Sequence, residues 1–242
     1  MMILQAFGPA FGQPSPSPFC VKAMCLLTMA GVKWKPDFTA DIRKAPRGKF
    51  PVLVDGDRTI PDSGEIQQHL ETHHGADFDA GLSATERAHG HMMIRMADEH
   101  LYHACVYDRW VRDDNWAVLR DTYFAAMPWP LRAVVPGIVR KSALNNLRGQ
   151  GIGRMTYDEM VARAEDDLCA LDQVIGDAGF LFGDRPTAAD ASIGPLLAAI
   201  ASGPNKTPLR ECVQKRPAMM AYVTRIETAI YPDMTGWKGA KR

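Results

Sequence analysis

Ser17 stands at the centre of the residues best suited to chemistry, in the stretch Ser17-Pro18-Phe19-Cys20. An apolar run at residues 3–7 and a loop rich in glycine and proline precede it, and an amphipathic run follows it. Serine is a favoured N-cap, and proline is a favoured first residue of a helix. The pattern therefore predicts Ser17 at the tip of a helix, where the positive field of the helix N-terminus can stabilise a thiolate.

Cys20 is a second candidate for thiol chemistry, three residues into the predicted helix. It could be a nucleophilic or resolving thiol, or a small apolar side chain that is half buried by packing. Because position 17 is not a cysteine, a dithiol mechanism is not available. We favour the packing role for Cys20.

Phe50-Pro51 lies immediately before an apolar strand-like run at residues 52–54. Pro51 could be an ordinary proline at the start of an edge strand. Alternatively it could be a cis proline that exposes the backbone N–H and C=O of Phe50 to a peptide-like ligand. Lys49 and Arg47 precede this pair, either as solvated surface charges or as partners for a ligand carboxylate.

Asp62-Ser63 falls where the predicted hairpin ends and the next helix begins. Either residue could be the N-cap of that helix. The N–H groups at a helix N-terminus bind carboxylates, and the Asp62 carboxylate could hold an ammonium group. The pair is therefore suited to the zwitterionic end of an amino acid.

Histidines at positions 69, 73 and 74 cluster near the end of that helix. No acidic or cysteine residue stands at a typical ligand spacing from them in the sequence. The sequence therefore predicts no metal site.

The chain has 242 residues, with 28 basic and 28 acidic side chains and a formal net charge of zero. This balance gives no electrostatic reason to expect a nucleic acid or membrane partner. Five cysteines without regular spacing favour a reduced, cytoplasmic protein over a disulfide framework. We find no signal peptide and no apolar run of the roughly 20 residues that span a bilayer.

The pattern of elements changes near Gly75, where strand signals nearly vanish. Residues 1–75 alternate strands and helices and include a hairpin turn at Asp55-Gly56. Residues 76–82 form a predicted linker, and residues 83–242 are predicted to be helical. The sequence thus predicts an α/β domain followed by an all-α domain. Capping boxes open three of the later helices, at Ser83, Thr156 and Thr187, whereas prolines should prevent one regular helix over residues 128–136.

The element order, the S-x-x-C tip, Lys-Phe-Pro and Asp-Ser together resemble the glutathione S-transferase superfamily over nearly the whole chain. The runs at residues 17–22, 45–51 and 180–191 look like its metaxin and failed-axon-connections branch. The resemblance implies a thioredoxin-like N-terminal domain that binds glutathione, and an all-helical C-terminal domain.

The resemblance also assigns roles to individual residues. Ser17 would donate a hydrogen bond to the glutathione sulfur as the catalytic residue. The remaining candidates for binding glutathione are Phe19, Cys20, Lys49, Phe50, Pro51, Asp62 and Ser63. Among these, the Phe50 backbone would pair with the cysteinyl unit beside a cis Pro51, and Asp62 and Ser63 would hold the γ-glutamyl end. Thr187 and Asp190 match a motif that supports folding, so they are excluded from the site.

The predicted function is conjugation of the glutathione thiol to a hydrophobic electrophile by a cytoplasmic homodimer. Five aromatic residues could line the electrophile site, although most are expected to be core: Tyr102, Tyr107, Trp110, Trp116 and Phe124. Two alternatives remain open. The branch includes import and scaffold subunits, which allows a non-catalytic binding module, and Cys20 allows a glutathione-dependent thiol-disulfide reductase.

Overall fold

A four-stranded mixed sheet forms the N-terminal part of the computed structural model. The structure describes residues 1–125, 127–176, 179–235 and 237. The strands are β1 (Met2–Gln5), β2 (Trp34–Asp37), β3 (Val52–Asp55) and β4 (Arg58–Pro61), in the spatial order β2-β1-β3-β4. β1 is parallel to β2 and antiparallel to β3, and β4 is antiparallel to β3.

The strand register brings three chain segments to one edge of this sheet. Gln5 at the end of β1 pairs with Val52 at the start of β3, and Val52 pairs with Pro61 at the end of β4. The segments that follow β1, precede β3 and follow β4 therefore meet at the same edge. These segments carry Ser17, Phe50-Pro51 and Asp62 respectively.

Two helices belong to this part of the chain: α1 (Pro18–Met29) and α2 (Ser63–His74). α2 packs on β3, β4 and α1. A glycine with positive φ follows the last turn of each helix, at Gly31 and Gly75. The hairpin turn lies one residue later than the sequence suggested. Asp55 pairs with Arg58, so Gly56 and Asp57 form the turn, with φ of 62° at Gly56.

The remainder of the described chain is helical. Its helices are α3 (Ala84–Met96), α4 (Tyr102–Trp110), α5 (Asp113–Tyr123), α6 (Leu131–Gln150), α7 (Tyr157–Val174), α8 (Ala188–Ala201), α9 (Pro208–Gln214) and α10 (Pro217–Ile230). A π-helical turn at Ala97–Leu101 joins α3 to α4. The predicted fold class, a thioredoxin-like domain with a helical C-terminal domain, is confirmed. Among the described residues, no helix is both long and apolar enough to cross a bilayer.

α8 is the central helix of the molecule, and each of its residues is buried. α1 packs against it from the N-terminal domain, and α10 packs on another side. Gly194 allows that second approach, because a Cβ there would lie 2.5 Å from Ile226. Asp190 fixes the start of α8 by accepting hydrogen bonds from the Thr187 backbone and hydroxyl, at 2.8 and 2.7 Å, and from the Tyr222 hydroxyl.

α6 departs in part from the sequence prediction for residues 128–136. The helix begins at Leu131, directly after Pro130, and then continues through Pro136. Pro136 removes only the hydrogen bond that its missing N–H would donate to the carbonyl of residue 132. Its ring is buried, so packing offsets that loss and the helix extends to Gln150.

Candidate functional site

Ser17 is the N-cap of α1, as its position before Pro18 predicted. Its Oγ accepts a hydrogen bond from the backbone N–H of Cys20 at 3.4 Å. The side chain is half-buried, and α1 has no acidic residue in its first turn. The hydroxyl proton is therefore available to a ligand. No acidic side chain in the first turn offsets the positive field of the helix N-terminus at this point.

The Phe50–Pro51 peptide bond is cis, as the second interpretation of Pro51 requires. The Phe50 ring contacts the half-exposed ring of Phe7, which follows β1, at a centroid distance of 5.3 Å. Phe50 and Pro51 directly precede β3 and therefore lie at the sheet edge defined above.

Asp62 is the N-cap of α2, and Ser63 is its first residue. The Asp62 side chain accepts a hydrogen bond from the N–H of Gly64 at 2.8 Å. Its backbone has φ of 72° and ψ of 139°, a positive-φ conformation outside the left-handed helical region. Glycine at position 64 leaves room for this cap, since a Cβ there would lie 3.3 Å from Asp62 Oδ1.

Direct contacts link the three segments into one site. The Asp62 N–H donates to the Pro51 carbonyl at 3.1 Å. The ring of Phe7, in the segment that follows β1, packs on the ring of Phe50. Two helix N-termini and one cis peptide therefore surround the same edge of the sheet.

Known proteins resemble both parts of this chain. The model of the glutathione S-transferase N-terminal domain matches residues 18–115, and that of the C-terminal domain matches residues 164–226. The isoprene-epoxide–glutathione S-transferase of Rhodococcus sp. (strain AD45) is 30% identical over 93% of this chain and 98% of its own. The chain belongs to the glutathione S-transferase family. Proteins of this family use glutathione as co-substrate.

Relatives within the predicted branch are also found. Failed axon connections of Drosophila melanogaster is 27% identical over 91% of this chain, which spans only 56% of that protein. Metaxin-3 of Xenopus laevis is 28% identical over 83% of this chain and 67% of its own. Among solved structures, glutathione transferase GSTFuA3 from Phanerochaete chrysosporium shares the fold, with a TM-score of 0.66, 16% identity and coverage of 96% and 98% of the two chains.

Cys20 lies deeper in this glutathione S-transferase domain than the sequence suggested. Its side chain is wholly buried rather than half-buried, because α2, α8 and α10 all pack against α1. Burial raises the pKa of the Cys20 thiol, although hydrogen bonds with Phe7, Ser17 and Ser15 oppose that rise. The thiol is therefore protonated at neutral pH and out of reach of a ligand. Of the predicted binding role, only the Cys20 backbone can contribute.

The two basic residues before Phe50 differ in their surroundings. Arg47 forms an ion pair with Glu65 in the first turn of α2. Lys49 is exposed and has no hydrogen bond or ion pair within the described part of the chain. Lys49 is thus the cation that remains available to a ligand carboxylate.

Phe19 and Tyr102 form the aromatic wall next to Ser17. Their ring centroids are 4.5 Å apart, and the His103 ring packs on Tyr102 at 5.3 Å. Burial raises the pKa of Tyr102 to about 12, so its hydroxyl stays protonated. His103 was missed from the sequence, where nothing distinguishes it from the other scattered histidines.

The other four aromatic candidates are largely core, as the sequence analysis expected. Tyr107 is buried and its hydroxyl donates to the Met155 carbonyl at 3.0 Å. Trp110, Trp116 and Phe124 belong to a small separate cluster around Leu119. Among the five, Tyr102 is therefore the one that contacts a candidate site residue.

Lys22 lies directly behind this wall and joins the two domains. Its Nζ is 2.7 Å from Asp98 Oδ2 in the π-helical turn, and its side chain is only 3% exposed. Ser192 of α8 donates to the other oxygen of Asp98, also at 2.7 Å. We did not identify Lys22 from the sequence, although a lysine within the apolar run of α1 is the signal that could have found it.

The histidines at the end of α2 have an acidic partner after all. Asp55, at the end of β3, lies 2.9 Å from His69 and 2.8 Å from His74. The sequence analysis considered spacing along α2 alone, whereas the hairpin brings Asp55 to the helix from outside. The absence of a metal site stays a prediction.

Proposed function

We propose that the chain is a glutathione transferase that activates the glutathione thiol for addition to an electrophile. The observation that carries this proposal is the N-cap hydroxyl of Ser17, half-buried at the start of α1 with no acidic residue in the first turn of the helix. Membership of the family and the 30% identical isoprene-epoxide transferase support it.

Ser17 acts in this mechanism as a hydrogen-bond donor. An alcohol is too weak a base at neutral pH to remove the thiol proton, so that proton leaves to solvent. The Ser17 O–H then donates to the thiolate while its oxygen accepts from the Cys20 N–H. Because α1 directs its positive end at the same point, thiolate is favoured over thiol.

The remaining candidates hold the tripeptide. The Phe50 N–H and C=O pair with the cysteinyl backbone at the cis peptide. The α2 N-terminus binds the γ-glutamyl carboxylate, Asp62 binds its ammonium group, and Ser63 adds a hydroxyl. Lys49 takes the glycyl carboxylate at the other end. The negative charge of Asp62 and the positive charge of Lys49 thus fix the direction in which glutathione lies.

An epoxide is the electrophile that we propose to test first. The printed name of the Rhodococcus relative gives isoprene epoxide as its substrate. In such a reaction the glutathione sulfur forms a bond to carbon as the carbon–oxygen bond of the epoxide breaks, and the alkoxide takes a proton from solvent. Phe19 and Tyr102 would supply the apolar surface for the small hydrocarbon part.

Binding to immobilised glutathione, followed by a conjugation assay with a small epoxide, tests the proposal. Binding with conjugation supports a transferase. Binding without conjugation to any of a panel of electrophiles supports the non-catalytic module, the alternative that the metaxin relatives favour. Absence of glutathione binding contradicts both.

Replacing Asp62 with asparagine separates glutathione binding from helix capping. Asparagine has the size and shape of aspartate and keeps a cap oxygen for the Gly64 N–H, but it loses the charge that holds the ammonium group. We expect the dissociation constant for glutathione to rise about tenfold or more, with little change in melting temperature. Calorimetric titration beside a thermal melt measures both.

Asp57→Asn is the matched control for this change, since Asp57 is an exposed aspartate in the hairpin turn of the same domain. It should change neither quantity. Equal affinities in Asp62→Asn and Asp57→Asn would remove Asp62 from the site.

Cys20→Ser should leave conjugation nearly unchanged, because the Cys20 thiol is buried and protonated. Mass spectrometry after exposure to oxidised glutathione should find a mixed disulfide at Cys169, the exposed cysteine, and not at Cys20. Cys169→Ser serves as the control that removes this adduct. A rapid adduct at Cys20, with reductase activity lost in Cys20→Ser, would instead establish the thiol-exchange alternative.

We also propose that the protein is a cytoplasmic homodimer. All five cysteines are unpaired, which suits a reducing compartment, and dimers are frequent in this family. Light scattering on the purified protein measures the mass against the 26.7 kDa of one chain.

A further inference from the structure

We propose that Asp55, His69 and His74 form a binding site for a zinc ion. The three residues, called here the histidine cluster, come from two elements: Asp55 ends β3, while His69 and His74 lie in the last two turns of α2. The site is separate from the glutathione site and does not depend on the function proposed above.

The geometry of the histidine cluster suits a metal ion. Both Nε2 atoms point at the same oxygen, Asp55 Oδ2, at 2.9 Å from His69 and 2.8 Å from His74. One potential ligand atom from each residue lies within 4.8 Å of the others. An ion placed among them can reach all three at the usual zinc distances of about 2.0–2.2 Å after small side-chain movements.

The chemistry of the donors points to zinc rather than magnesium or calcium. Two imidazole nitrogens with one carboxylate oxygen suit borderline-soft transition ions, whereas magnesium and calcium prefer all-oxygen sets. His69 is buried and His74 reaches solvent, so an ion has both a fixed ligand and a path of entry. Water would complete a four-coordinate site.

The surroundings of the cluster also favour a cation. It lies at the C-terminal end of α2, where the helix dipole attracts positive charge. Zinc binding replaces the two hydrogen bonds between the Nε2 atoms and Asp55 Oδ2. Each imidazole then carries its proton on Nδ1, which leaves Nε2 free for the ion.

The position of the cluster defines what zinc would do. α2 has 12 residues and is therefore about 18 Å long, with Asp62 at one end and His74 at the other. The ion would join the β3–β4 hairpin to the end of α2 without touching glutathione. We therefore assign it a structural role, in which binding to the folded state stabilises the N-terminal domain.

Calorimetric titration of zinc chloride into the metal-free, untagged full-length protein tests the site. We expect one ion per chain and a rise in melting temperature on its addition. His74→Ala should weaken zinc binding at least tenfold and remove the temperature rise, and it should still fold because His74 is on the surface. His91→Ala, an exposed histidine on α3 outside the cluster, is the matched control and should bind zinc like the wild type.

A cobalt titration gives a second measurement. Four-coordinate cobalt should produce an intense visible spectrum with the wild type and His91→Ala, and Asp55→Asn should weaken it. No uptake of zinc by the wild type would overturn the proposal and leave the cluster as a hydrogen-bonded connection between hairpin and helix. Equal affinities in His74→Ala and the wild type would overturn it as well.

Discussion

Ser17→Ala is expected to slow glutathione conjugation about a hundredfold or more, the effect of removing one preorganised donor from a developing or bound anion. The alanine also removes the cap of α1 but leaves the helix field in place. Bound glutathione should therefore have a higher thiol pKa and nearly unchanged affinity. The pH dependence of kcat measures the loss of rate, and the absorbance of the bound thiolate measures the pKa of the thiol.

Ser83→Ala is the matched control for the lost cap. Ser83 caps α3 with the same geometry, since its Oγ accepts from the N–H of Glu86 at 3.3 Å, compared with 3.4 Å at Ser17. Both variants should lose roughly 1 kcal/mol of stability, and only Ser17→Ala should lose activity. If Ser17→Ala keeps its turnover and pH profile, Ser17 is not the thiolate donor, and Ser15 is the next residue to test.

Asp98→Ala is expected to destabilise the protein by about 3–5 kcal/mol, because it leaves the Lys22 ammonium buried without a partner. The Ser192 hydroxyl loses its acceptor in the same change. For a chain of this size such a loss corresponds to a fall in melting temperature of roughly 10 °C. Chemical denaturation gives the free energy, and calorimetry gives the melting temperature.

Two further variants separate burial from charge pairing. Glu99 is the residue next to Asp98 and forms an exposed ion pair with Arg95. Glu99→Ala breaks this pair and should leave the melting temperature almost unchanged. The double variant Lys22→Met/Asp98→Leu should recover most of the lost stability, since apolar groups often replace a buried pair well. Similar losses in Asp98→Ala and Glu99→Ala would show that the interdomain pair contributes little.

Features that depend only on residues close together in the chain were predictable from the sequence. The caps at Ser17, Ser83 and Thr156 each depend on a hydrogen bond across three residues, so type and spacing suffice to find them. Glycine at the ends of α1 and α2 follows from the same kind of local rule. The fold class followed from the alternation of strand and helix patterns, together with a family resemblance.

Features that depend on distant parts of the chain were not predictable. The partners Lys22 and Asp98 are 76 residues apart, and no local pattern joins them. The depth of Cys20 depends on coverage by α8, and the Asp55 contact with His69 and His74 depends on how the hairpin meets α2. In each case the sequence fixes the side chain, while tertiary packing decides what lies opposite.

The burial of α8 sets the order in which the protein can form during synthesis. α1 packs against α2 within the N-terminal domain and against α8 of the helical domain, so the N-terminal domain is incomplete when its last residue leaves the ribosome. α8 ends at Ala201, about 120 residues beyond Leu82, which takes on the order of ten seconds to translate. For that interval the apolar outer face of α1 is uncovered on the nascent chain. A chaperone that holds unfolded chains would bind the nascent protein at this face of α1.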